Sequence, residues 1–89
     1  LGIGFTMNQY TWKHYRKFHS YSMMDEPIIH HDLYTYAEIV VVAASQEEAL
    51  GLIQDETQGW IIEGLESIKP QIEKTTSLPG VIKQIVQGE

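Results

Sequence analysis

The chain has 89 residues, no cysteine and a net charge of −6. The lack of cysteine excludes disulfides, thiolate metal sites and thiol chemistry. The acidic balance disfavours general affinity for nucleic acid or anionic membranes. So short a chain has a thin core, and pairing with a second copy is one way to complete it.

Residues 1–9 are expected to be an irregular N-terminal extension. Leu1 to Thr6 stand ahead of the first methionine, Met7, either as added sequence or as part of a longer protein. The segment 10–19 alternates as a strand does, with Tyr10, Trp12 and Phe18 on one face and Lys13, Tyr15, Lys17 and His19 on the other. A helix joining Trp12, Tyr15 and His19 is the alternative. Met23, Met24, Asp25, Glu26 and Pro27 read as a turn, since proline lacks an amide donor and aspartate favours turns.

The segment 33–44 is rich in β-branched and aromatic residues and predicts a second strand, paired to the first as a hairpin. Its last six residues, from Ile39, are all apolar, so both faces need cover. Ser45 followed by Glu48 predicts a helix start with a capping box. Ala49, Leu50, Leu52 and Ile53 supply its apolar stripe. Gly51 is read as a point of close approach to the sheet, and Gly59 as the stop.

The segment 60–69 predicts a third strand with a bulge at Gly64. Ile61, Leu65, Ile68 and Ile72 also match helical spacing, but Pro70 would clash with the carbonyl of Glu66 in a continuous helix. Residues 70–77 form a connection. Ser77 is read as the cap of a last short helix carrying Val81, Ile82, Ile85 and Val86, with Gly88 as its end.

The fold class is therefore α+β: a small, mainly antiparallel sheet in the order β-β-α-β-α, with helices packed on one face. The first strand lies between the second and third, as in a split βαβ unit. All 89 residues form a single domain. No apolar run approaches the roughly 20 residues of a membrane span, and no basic start with an apolar stretch marks a signal peptide. A cytoplasmic location without membrane contact is the expectation.

The candidates for chemistry are few. His19, His30, His31 and Asp32 are the right residue types for a metal site. Their spacing is poor, because adjacent strand residues point to opposite faces. Glu38 interrupts an apolar strand and, with His30, His31 and Asp32, could serve acid–base chemistry in a cleft or subunit interface. Trp12, Tyr15, Tyr36, Glu38 and Trp60 are candidates for lining a small-molecule pocket. Lys13, Arg16 and Lys17, interleaved with aromatics, could hold a nucleic-acid strand. No catalytic residue is assigned and no cofactor is implied. The expectation is a non-enzymatic interaction module that forms a homo-oligomer, dimeric or higher, through the face or edge of its second strand.

Overall fold

Two strands, β1 (Met7–Tyr15) and β2 (Tyr36–Ala43), pair antiparallel and set the frame of the protein. The structure is a computed structural model and describes residues 7–16 and 27–88. Leu1–Thr6 of the expected 1–9 extension, Lys17, Phe18, His19 and most of the 23–27 turn lie outside these residues. Extension residues 7–9 are ordered in β1, because Met7, Asn8 and Gln9 have strand partners on β1's flanks.

The register of β1 and β2 sorts the side chains. Tyr10 sits opposite Val41, Trp12 opposite Ile39 and His14 opposite Ala37. These share one face with Ala43, and all but the part-buried His14 belong to the core, in which Trp12, Ala37, Ile39 and Val41 are fully buried. Val40 and Val42 point the other way and are also buried. The expected two-sided burial of this run holds from Ile39 to Ala43, whereas Ala44 is exposed.

Helix α1 (Gln46–Glu56) starts where Ser45 predicted. The Glu48 amide donates to the Ser45 hydroxyl oxygen at 3.1 Å. Glu47 and Glu48 lie in the first turn, at the positive end of the helix dipole. Ala49, Leu50 and Ile53 are buried against the core, each large aliphatic chain contributing about 1.5–3 kcal/mol. The amide and hydroxyl of Thr57 both donate to the Ile53 carbonyl and close the helix. Gly51 departs from expectation: a β-carbon there would meet nothing within 4 Å, so no close approach requires glycine.

The segment expected as a third strand instead forms helix α2 (Ile62–Glu66). It ends before Pro70, so the anticipated clash with the Glu66 carbonyl does not arise. Residues 57–61 give room to turn between the helices. Gly59 takes φ +92°, and His30 bridges to Trp60. Gly64 is not a bulge. It lets α2 lie against the chain at Ile28, whose carbonyl oxygen would stand 1.9 Å from a β-carbon at 64.

Strand β3 (Gln71–Thr75) pairs antiparallel with the free side of β1. The predicted last helix is instead strand β4 (Gly80–Gln87), paired antiparallel with β2 and irregular between Val40 and Val41. Four of its eight residues are β-branched, and it closes the side of β2 away from β1. The sheet order is β3-β1-β2-β4. Thus β1 lies between the parallel strands β2 and β3, but the third strand comes from the expected 70–77 connection and not from 60–69, and the element order is β-β-α-α-β-β. The α+β class with an antiparallel sheet and helices on one face stands. Among the described residues no helix is long and apolar enough to cross a membrane.

The two helix glycines should respond oppositely to alanine. Gly64→Ala is expected to cost about 3 kcal/mol or more, because backbone must move to admit the methyl group. Gly51→Ala is expected to add about 0.5–1 kcal/mol through helix propensity alone. Urea unfolding of both variants checks the pair.

Candidate functional site

Side-chain chemistry gathers at three places on this frame. The first is the second face of the sheet. Lys13 is opposite Glu38 across β1 and β2, and Tyr15 is opposite Tyr36. The Tyr15 and Tyr36 rings lie 4.5 Å apart. The Tyr36 hydroxyl donates to one Glu38 carboxylate oxygen, and the Lys83 ammonium lies 3.4 Å from the other. The Tyr36 hydrogen bond, helped by Lys83 and Lys13, holds the Glu38 carboxyl below its usual range against the opposing effect of burial. Burial, then the Glu38 contact, pushes the Tyr36 hydroxyl up to about 12. A carboxylate held ionised is a weak base, and a phenol near 12 is a weak acid. Neither is poised for proton transfer near neutral pH.

The second place is the junction of the 27–35 segment with the turn after α1. His30 is buried, with its ring edge against Trp60 at a centroid distance of 4.8 Å. Its Nδ1 accepts the Asp32 amide at 3.0 Å, which puts the neutral ring's proton on Nε2. The His31 amide donates to the Gly59 carbonyl and the Ile61 amide to the Ile29 carbonyl, locking this segment to the turn. Burial lowers the His30 pKa, an effect that Asp32 opposes and His31 reinforces. Nearby, the Tyr34 hydroxyl accepts the Ile29 amide and lies 2.7 Å from Nδ1 of His14.

The third is a cleft of about 450 Å³ between α1 and the sheet end. Met7, Ala44, Gly51, Leu52 and Pro79 line it, with Glu48 and Asp55 beside them.

The candidate residues are distributed as follows. Trp12 and Trp60 are both buried in the core, whereas Tyr15, Tyr36 and Glu38 occupy the opposite face of the sheet. The five therefore do not meet in one pocket, and none lines the cleft. His30 and Asp32 approach to 3.9 Å, but Asp32 and His31 are exposed while His30 is buried. Glu38 belongs to the other cluster. No group of three potential metal ligands occurs among the described residues. His19 and Lys17 lie outside those residues. Lys13 is exposed on the second face, whereas the Arg16 guanidinium lies 5.6 Å from the centroid of the Tyr34 ring.

Sequence reasoning missed the outer side of β4. Both sides of β2 carry a paired strand, so its edge is unavailable for association. Among the described residues the edges are β3 and β4; each carries a half-exposed isoleucine, Ile72 and Ile82, but they differ in length and charge. The β3 edge is five residues long and carries Glu73 and Lys74, features that blunt an edge. The β4 edge is eight residues long, and its single charge, Lys83, is engaged with Glu38. Ile82 is 54% and Val86 37% exposed along it. The run of β-branched residues in Val81-Ile82-Lys83-Gln84-Ile85-Val86 was the available signal, and proline and helical spacing masked it. Comparisons with protein-family models, curated proteins and solved structures return no match.

Acid should loosen the His30 junction. The imidazole is held below its ordinary 6.5, so the unfolded chain takes up a proton first as pH falls. Stability declines as pH drops through 6.5 and levels off once the folded-state ring is protonated. Glu38, held below 4.5, adds a separate loss at lower pH. Urea midpoints compared at about pH 7.5 and about pH 5.5 should fall for the natural chain. His30→Phe, which keeps a ring against Trp60, should flatten that difference.

Proposed function

We propose that this protein acts by docking rather than by catalysis, as a non-enzymatic module that associates with copies of itself through the β4 edge. The observation that carries this reading is the contrast between the two sheet edges. An edge strand offers unpaired backbone donors and acceptors, and proteins that remain single shield it with charge, brevity or a covering element. β3 is shielded in this way. β4 is long and uncharged on balance, and carries exposed Ile82 and Val86 just after the strongly exposed Leu78.

The chemistry of the side chains supports the same reading. Glu38, Tyr36 and His30 are each occupied by neighbours that move them away from acid–base work near neutral pH. The thin core of a short chain gives association a further advantage, since apolar surface covered by a partner adds to what folding buries.

Sedimentation of the natural chain should show mass rising to twice that of the monomer with concentration. Ile82→Lys combined with Val86→Lys should hold it monomeric at concentrations where the natural chain is paired. Ile72→Lys on the β3 edge should leave pairing intact. A natural chain that stays monomeric at high micromolar concentration would overturn the proposal.

A further inference from the structure

Resting on that docking reading, we infer that β4 pairs antiparallel with β4 of a second copy about a two-fold axis passing through Gln84, normal to the sheet. The starting point is the extent of the free edge. The Val81 amide is already taken by the Glu56 carboxylate at 3.2 Å, and the ladder to β2 is irregular beside it. The edge open to a partner therefore runs from Ile82 to Gln87.

Symmetry then restricts the register. A two-fold axis normal to the sheet leaves each side chain on its own face. Residues facing each other across an antiparallel seam must share a face, so the axis passes through a residue and not between two. Three centres overlap most of the free edge. A centre at Lys83 sets two ammonium groups opposite each other, which is unfavourable. A centre at Ile85 leaves Ile82 opposite Gly88 with no apolar partner. A centre at Gln84 sets Ile82 opposite Val86 of the second copy, and symmetry repeats the contact. It also sets Lys83 opposite Ile85 of the second copy. With the Lys83 ammonium held by Glu38, its methylenes are free to cover that isoleucine. This register alone gives both exposed apolar side chains of the edge an apolar neighbour.

The arrangement also limits association to two copies. Joining β4 to β4 makes one eight-stranded sheet whose outer strands are both β3, the short edge bearing Glu73 and Lys74. A head-to-tail seam between β3 and β4 would instead propagate into an open filament. In the two-fold pair both helical layers lie on the same side. The Tyr15, Tyr36, Glu38 and Lys83 clusters of the two copies then share the other side.

The lack of cysteine permits a direct register test by single substitutions and mild oxidation. Gln84→Cys should cross-link to itself. Ile82→Cys mixed with Val86→Cys should form a disulfide-linked pair, while either alone should not. Like residues at 82 would be offset by four positions, about 14 Å along the strands, beyond the roughly 7 Å that a disulfide spans. Ile85→Cys, offset by two positions, should also fail. Efficient Ile85→Cys cross-linking without Gln84→Cys cross-linking would overturn the register. Sedimentation of the natural chain separates the two levels of the argument. Dimers in which no β4 cysteine pair links would overturn the seam and leave self-association standing, whereas monomers throughout would overturn both.

Discussion

Strand β2 is buried on both faces, and most of the structure follows from accommodating it. Ile39, Val41 and Ala43 require a helical layer, which α1 and α2 supply through Ala49, Leu50, Ile53 and Leu65. Val40 and Val42 are equally hidden on the other side. A strand with no wet face cannot stand at a sheet edge without exposing its backbone beside that apolar surface. It therefore needs a neighbour on each side, and β1 and β4 provide them. This demand overrides the helical spacing of the C-terminal segment. Val81, Ile82, Ile85 and Val86 suit either periodicity, but only the extended form closes β2's free ladder.

The same constraint accounts for the polar residues that first look functional. Glu38 lies within the β2 run, where an unpaired carboxylate beside apolar neighbours would be costly. Tyr36 and Lys83, from its own strand and from β4, saturate it. His30 is the corresponding case at the other end of the core. It fills the space beside Trp60 where Gly59 has no side chain, and its Nδ1 accepts the Asp32 amide. Both groups have perturbed acidity, yet in both the perturbing neighbours are themselves structural. Perturbation alone marks a site only when a group is also left free to meet a ligand.

Much of this was legible in the residues, and the failures have physical causes. The β-branched and aromatic content of β2, its hairpin with β1 and the Ser45 cap are local signals, and local chemistry was enough to read them. The faces of Tyr10 and Trp12 against Lys13 and Tyr15 follow from strand alternation and match the register. The segment 60–69 was harder. Gly64 weakens both helix and strand, and what decides the matter is Ile28, distant in sequence, whose carbonyl leaves no room for a side chain. Gly51 misled in the opposite way, since a glycine facing the sheet and one facing open space look alike in sequence. The helical spacing of Val81, Ile82, Ile85 and Val86 hides the proposed contact surface from the sequence. The separation of the candidate ligand residues onto two faces depends on registers that no short window contains.

The asymmetry of the two edges gives the fold its direction. Exposed backbone on β3 is tolerable because Glu73 and Lys74 make strand addition there unfavourable, and because five residues offer little ladder to a partner. On β4 the one lysine is half-exposed and pairs with Glu38 of the neighbouring strand, so the single charge of that edge is already engaged. Replacing Glu38 by an apolar residue would free Lys83 to protect β4, but it would also remove the only charge on β2. The ion pair that helps neutralise Glu38 within β2 is thus the same one that engages the single charge of β4.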